Sequence, residues 1–298
     1  MPIVTFWSDG KGAVGKTTAL AGIATLMGVE KKYKILIVNT KKNDITIEDC
    51  FWNTVGVNER LSFKEKDKRD MESGIKGLVK AVMSNRTAPE VVTNYTKVVF
   101  TGHRLEVLTS RISKETDKET EETKNLTEEQ KEELRETEYQ NQRKMLKNIL
   151  RMADKFYDLV FVDVDGELDD PIISEILDLS NVLVPVVSQG LRNIENHKQM
   201  MGETTLFNGG NVINIIGRYD KHSKYTEKNL AKHIGVKKMY GVPYNTQFFE
   251  ACHEGQLADY LIKFRKQSPT DQNGPLIHGV RRIYTDLVEL LQMLQMSV

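Results

Sequence analysis

The sequence predicts an α/β fold, a doubly wound and mostly parallel sheet flanked by helices. Three observations carry that prediction. A short apolar run, a glycine-rich turn, a helical pattern and a second apolar run follow one another at the start of the chain. Three later runs are nearly continuously apolar, as strands buried on both faces should be. Segments with helical spacing alternate with these runs to the end of the chain.

Taken in order, Ile3–Trp7 is rich in strand formers and breaks at Asp9-Gly10-Lys11-Gly12. From Lys16 a helix is expected with Leu20, Ile23, Ala24 and Met27 on one face. Ile35–Val38 returns as a strand, which completes a βαβ unit and implies parallel pairing. Ser73–Asn85 places Ile75, Leu78, Val79 and Val82 at helical spacing. Val98–Phe100 and Leu105–Leu108 read as short strands around Thr101-Gly102-His103-Arg104. Leu159–Val164, Val182–Val187 and Val212–Ile216 are the buried strands, with Ile176–Leu179, Ile194–Leu206 and Leu230–Ile234 as helical partners. Phe248–Leu261 and Val280–Met296 close the chain as helices.

Ser113–Glu138 stands apart, with few aromatic or branched residues and acids outnumbering bases. It is too polar to pack on a sheet. Its first half is read as a mobile, solvated insertion, with a partner-docking arm as the functional alternative. From about Glu128 a helix is expected to run into Met145, Leu146, Ile149 and Met152, which face the core. The whole of 1–298 is therefore read as one domain carrying a charged insertion at about 113–138.

Composition bounds the function classes. At 39% hydrophobic and 28% charged residues, 298 residues can build a sizeable core. A formal net charge of zero gives no overall pull toward nucleic acid or anionic lipid, although a local basic patch stays open. The two cysteines, Cys50 and Cys252, form no CxxC, which argues against a zinc ribbon or cluster. They are expected as reduced, partly buried thiols. There is no leader pattern and no apolar run of membrane-spanning length, so a cytoplasmic protein is expected.

The chemistry starts at Gly10-Lys-Gly-Ala-Val-Gly15-Lys16-Thr17, which fits GxxxxGK[ST] without a gap. Gly10, Gly12 and Gly15 let the backbone curl so that N–H groups face phosphate oxygens. The start of the following helix adds partial positive charge. Lys16 is the point charge for the β- and γ-phosphates, and the Thr17 hydroxyl is a ligand for Mg²⁺. The nucleotide-binding set here is Gly10, Lys11, Gly12, Ala13, Val14, Gly15, Lys16, Thr17 and Thr18. Asp163 ends a buried apolar run, where such a site needs a second carboxylate to hold Mg²⁺ through its water. Asp163-Val164-Asp165-Gly166 also reads as DxxG, so the Gly166 N–H is a candidate γ-phosphate sensor, with Asp165 as a turn residue. Strand, loop and acid together predict a P-loop NTPase fold with ATP and Mg²⁺ as cofactors.

Lys11 sharpens the reading. Lys11-Gly12-Ala13-Val14-Gly15-Lys16-Thr17-Thr18 resembles the deviant Walker A motif, KGGxGKTT, of the ParA/MinD family of P-loop ATPases, with Ala13 in place of the second glycine. The resemblance implies that Lys11 reaches across a homodimer to the partner's nucleotide. It implies a catalytic set of Lys11, Lys16 and Asp163, with Thr17 and Asp163 holding metal. The family carries D-x-D after its second strand, whereas this chain has Asn39-Thr40-Lys41. Lys41 brings positive charge where a water-orienting acid is expected, and Asp44 is the candidate stand-in. Val242-Pro243-Tyr244-Asn245 and Glu250-Ala251 through Gly255 resemble the family's P-R-x-x-x-x-E-A-x-x-x-G segment. That makes Pro243 and Tyr244 candidate base contacts, with Arg218 beside them. No NKxD is present, which argues against guanine recognition.

Two functions follow. The first is an ATPase of slow turnover that dimerises on ATP and positions or partitions DNA or a protein assembly, helped by a protein activator or cargo. DNA contact would use Lys263, Arg265, Lys266, Arg281 and Arg282, with Lys237 and Lys238 nearby. The second is an ATP-binding scaffold with little or no hydrolysis, in a secretion, pilus or conjugation machine, favoured by the missing D-x-D. The last helix has Asp286 and Glu289 on its polar face and few lysines, so it is read as core packing rather than membrane contact. Cluster-carrying relatives need paired cysteines, and tyrosine-kinase relatives need a terminal tyrosine cluster. Neither feature is present.

Overall fold

The computed structural model describes residues 2–9, 13–41, 46–52, 74–100, 102–109 and 127–296. Its strands are β1 (Ile3–Ser8), β2 (Ile35–Asn39), β3 (Lys97–Val98), β4 (Leu105–Leu108), β5 (Leu159–Asp165), β6 (Val182–Val187), β7 (Asn214–Tyr219) and β8 (Met239–Pro243). They form one sheet in the order β3-β4-β2-β5-β1-β6-β7-β8. All neighbours are parallel except the β3–β4 pair at the edge. The expected α/β class, a mostly parallel sheet flanked by helices, is what the chain adopts.

Burial on both faces explains the apolar runs. All six residues of β1 are buried. Val4 and Phe6 enter one core with α1 (Lys16–Glu30), α8 (Thr246–His253), α9 (Leu257–Phe264) and α10 (Gly274–Met296). Ile3 and Trp7 enter the opposite core with α4 (Glu128–Phe156), α5 (Pro171–Asp178) and α6 (Leu191–Glu203). The shorter helices α2 (Thr46–Phe51), α3 (Gly74–Met83) and α7 (Glu227–Ile234) complete the two layers. Because β5 lies between β1 and β2, helix α1 crosses over β5 to join them. The carboxyl ends of β1, β2 and β5 therefore open side by side, where ligands bind in such sheets.

Several expectations need correction. Helix α1 is buried almost all round rather than on one face, because α9 and α10 pack on its outer side. The span Phe248–Leu261 is two helices, α8 and α9, since Gly255 takes φ +72° and ends the first. The edge strand stops at Val98, after which Gly102 (φ +85°) and His103 (φ +57°) make the turn. Strand β7 begins at Asn214, and Val212 makes only an isolated bridge to Leu183. The helix expected from about Glu128 does start there, on a Thr127–Gln130 capping box, and Leu146, Ile149 and Met152 are buried. The first half of the charged insertion lies outside the described residues.

Cys50 and Cys252, distant in sequence, meet in one core, where Cys50 Sγ donates to the Thr46 carbonyl at 3.2 Å. Both are buried rather than partly buried. The Cys252 thiol beside it and burial push the Cys50 thiol well up, so it stays protonated at neutral pH. No helix among the described residues is long and apolar enough to cross a membrane.

Candidate functional site

The glycine loop joins β1 to α1, and from Ala13 onward it lies within the described residues. Gly10, Lys11 and Gly12 lie outside them, as does Asp44. Gly15 caps α1 in the left-handed region (φ +81°), with no side-chain cap and no acid in the first turn. Among the described residues no side chain caps the first N–H groups of α1, and a helix start of this kind suits an anion. Thr18 Oγ1 donates back to the Gly15 carbonyl at 3.1 Å and tightens the turn.

Lys16 and Thr17 are buried against the end of β5. Pairing of β1 and β2 on either side of β5 sets Phe6 and Asn39 opposite Asp163. Thr17 Oγ1 donates to Asp163 Oδ2 at 2.8 Å. Lys16 Nζ donates to the Val164 carbonyl at 2.6 Å, lies 2.6 Å from Asp165 Oδ1 and pairs closely with Asp163 Oδ1. Ser8 Oγ also donates to Asp165 Oδ1, at 2.6 Å.

Lys41 joins the same cluster from the turn after β2. Its Nζ donates to Thr17 Oγ1 at 3.0 Å and stands 2.7 Å from Asp165 Oδ2 and 3.7 Å from Asp163 Oδ2. Two ammonium groups thus meet two carboxylates. Burial opposes the charge on Asp165, but Lys16 and Lys41 outweigh it and hold its carboxyl at about 2. Asn39, where the resemblance leads one to expect an acid, spends its amide inside the turn. Its Nδ2 donates to Glu48 Oε2 at 3.2 Å, and its Oδ1 accepts from the Lys41 N–H at 3.1 Å.

Thr17, Asp163 and Asp165 are hard oxygen donors of the kind Mg²⁺ takes. As arranged, they do not fit a metal ion, because the Lys41 ammonium already holds those same oxygens. A divalent ion and an ammonium repel, and both need these atoms.

On the other side of the loop the wall is apolar. Gly217 lies so close to the loop that a Cβ there would come within 2.0 Å of the Val14 carbonyl oxygen. Between Ile216 and Tyr219 strand β7 carries an extra residue relative to β8, a bulge. Arg218 sits in that bulge at φ +50° and packs its side chain against Gly15. Its guanidinium lies 5.5 Å from the centre of the Phe249 ring. A groove runs from Gly15 and Thr18 past Arg218 to Pro243, Tyr244 and Phe249. Tyr244 is 54% exposed along it, so a flat apolar ligand has an aromatic edge to meet. The Gly166 N–H donates to the Ser8 carbonyl at 3.2 Å, and Gly166 takes φ +135° under Ile173.

Part of the basic set near the C-terminus is paired within the chain. Arg281 forms a two-pronged pair with Glu30, Arg282 pairs with Glu227, and Lys238 lies 2.6 Å from Asp286. Lys263 lies over the Phe264 ring, and Arg265 bonds the Ile262 carbonyl.

No family model and no curated protein matches the chain. Solved structures do match it. A ParA family ATPase from Chlorobium tepidum is 16% identical and superposes with a TM-score of 0.64, covering 93% of this chain and 98% of its own. The cell division ATPase MinD of Pyrococcus furiosus is 14% identical with a TM-score of 0.63, covering 96% of this chain and 100% of its own. The fold is that of the ParA and MinD ATPases. MinD from Pyrococcus horikoshii, complexed with Mg-ADP, matches at 14% identity and a TM-score of 0.60, over 94% of each chain. The resemblance read from the loop thus extends to the fold of nearly the whole chain.

Within that ParA/MinD fold the structure gathers Lys16, Thr17 and Asp163 at one point, and Arg218, Pro243 and Tyr244 along one groove. Asp165, expected as a turn residue, stands instead between Lys16 and Lys41, and Glu48, Phe249 and the bulge carry no signal in the sequence. The DxxG spacing was the one available signal for Asp165.

Proposed function

We propose that this chain binds ATP at the loop Gly10–Thr18 and dimerises on doing so, as a ParA/MinD-type ATPase that positions or partitions DNA or a protein assembly. One observation carries the reading. Lys16 and Thr17, at the uncapped start of α1, meet Asp163 at the end of β5, with an apolar groove leading away from the same turn. In this reading Lys16 exchanges its carboxylates for phosphate oxygens, while the loop and helix amides take the remaining charge. Arg218, Pro243 and Tyr244 flank the base, and Lys11 acts on the nucleotide of a second subunit. Solved neighbours described as ParA family and cell division ATPases support the positioning role. The pairing of Arg281 with Glu30 and of Arg282 with Glu227 reduces the charge that the C-terminal basic set offers to DNA.

A second reading has its own observation. Asn39 and Lys41 stand where the water-orienting acids are expected, and the Asn39 amide is held by Glu48 and the Lys41 N–H. That favours a nucleotide-dependent scaffold with little turnover. Equilibrium binding of a fluorescent ATP analogue tests the common premise. The wild type should bind, and Lys16→Ala should weaken binding by about 100-fold or more. Absence of binding by the wild type removes both readings. Turnover no greater than that of Lys16→Ala selects the scaffold. Lys11→Ala should abolish the ATP-dependent dimer in light scattering while sparing monomer binding, and an unchanged dimer removes the trans role.

A further inference from the structure

We propose that Lys41 is a tethered cation standing where P-loop proteins hold a divalent ion, so that this chain binds nucleotide without a metal. The inference rests on the nucleotide-binding reading above and adds to it the source of positive charge.

The Lys41 ammonium is placed by its own turn rather than by chance reach. Thr40 Oγ1 donates to the Asp163 carbonyl at 2.7 Å, the Thr40 N–H points to that same oxygen at 3.4 Å, and the Lys41 N–H is held by Asn39 Oδ1. The turn after β2 is thereby pinned to the end of β5 before the side chain begins. The side chain is 16% exposed, and its head contacts the hydroxyl and both carboxylates that a magnesium ion would use directly or through water.

Charge balance shows what this does. Lys16 and Lys41 together neutralise Asp163 and Asp165. When Lys16 turns to phosphate, the carboxylates would be left facing a polyanion in a partly buried site, where repulsion is weakly screened. In most P-loop sites a divalent ion resolves that conflict. Here Lys41 remains in place to resolve it. The same ammonium keeps free Mg²⁺ away from Thr17 and the two acids, since both cations would compete for the same oxygens.

The test is equilibrium binding of a fluorescent adenine nucleotide to the full chain, in excess EDTA and in Mg²⁺. For the wild type the two affinities should agree within about threefold. Lys41→Met should bind about tenfold or more weakly in EDTA and recover in Mg²⁺, because the vacated oxygens then accept the ion. Lys41→Arg, which keeps the charge, should stay independent of metal, and it serves if the methionine variant fails to fold. Wild-type binding that requires Mg²⁺ overturns the assignment of Lys41 while leaving the nucleotide reading intact. A methionine variant that ignores EDTA overturns it as well. No binding in either buffer overturns both.

Discussion

A strand-end turn and a strand bulge wall the glycine loop, and they are held by opposite means. On the β2 side, Asn39–Lys41 is fixed by charge and hydrogen bonds around Thr17, Asp163 and Asp165. On the β7 side, Gly217–Arg218 is fixed by shape, with a backbone brought against the Val14 carbonyl and a bulge that turns one side chain toward the groove. Beside the first wall, Lys16 can exchange its carboxylates for another anion while Lys41 stays on them. The second wall offers no such exchange, since close-packed atoms have no alternative partner. The loop is thus gripped by shape on the β7 side and by exchangeable charge contacts on the β5 side.

The largest expected effect breaks the shape wall. Gly217→Ala would place a methyl 2.0 Å from the Val14 oxygen, where backbone rather than a flexible side chain must move. We expect a loss of about 3 kcal/mol in urea unfolding, together with loss of nucleotide binding, because the loop itself is displaced. A stability within 0.5 kcal/mol of the wild type, as for an ordinary surface substitution, would mean that this wall is not rigid.

The charge wall should respond to pH instead. The folded carboxyl of Asp165 is held at about 2, below the ordinary 3.8. A depressed acid contributes stability that is complete above its unfolded value and is lost as pH falls from 3.8 toward 2. Asp165→Asn should therefore cost about 2 kcal/mol at pH 7, and the gap between variant and wild type should close on acidification through that window. Urea unfolding at neutral and acid pH reads both. A gap that is independent of pH would assign the loss to packing rather than to the Lys16 and Lys41 charges.

The two walls also differ in how far the sequence announces them. The loop, β1 and Asp163 are legible because each is a local pattern, a contiguous motif or an apolar run ending in an acid. The pairing of Lys41 with Asp165 depends on β5 inserting between β2 and β1, a strand order that no local pattern states. The bulge at Gly217–Arg218 leaves no mark in Ile-Ile-Gly-Arg-Tyr, since it exists only in register with β8. The split between α8 and α9 rests on one glycine in a left-handed turn, and a run of apolar residues on both sides outweighs that signal in a helical reading. Asn39 shows the reverse case. Its departure from the family pattern is plain in the sequence, but its role as the brace of the Lys41 turn appears only in three dimensions.

The smallest effect is also the most discriminating, because it opposes two quantities at one residue. Arg218 occupies φ +50°, a conformation that costs a non-glycine residue about 1 kcal/mol. Such strain persists only where the surroundings impose it, and here the bulge does so in order to lay the guanidinium along Phe249 and the groove. Arg218→Gly relieves the strain and gives up the cation–π contact, which at a partly exposed site is worth roughly 0.5–1 kcal/mol. The net change in stability should therefore be small, within about 0.5 kcal/mol of zero. Affinity for an adenine nucleotide should fall by about threefold to tenfold if the guanidinium flanks the base. A variant that loses stability but keeps its affinity would make Arg218 a brace of the rigid wall. One that keeps its stability and loses affinity would make it a contact, and the strain would then be the cost of holding that contact ready.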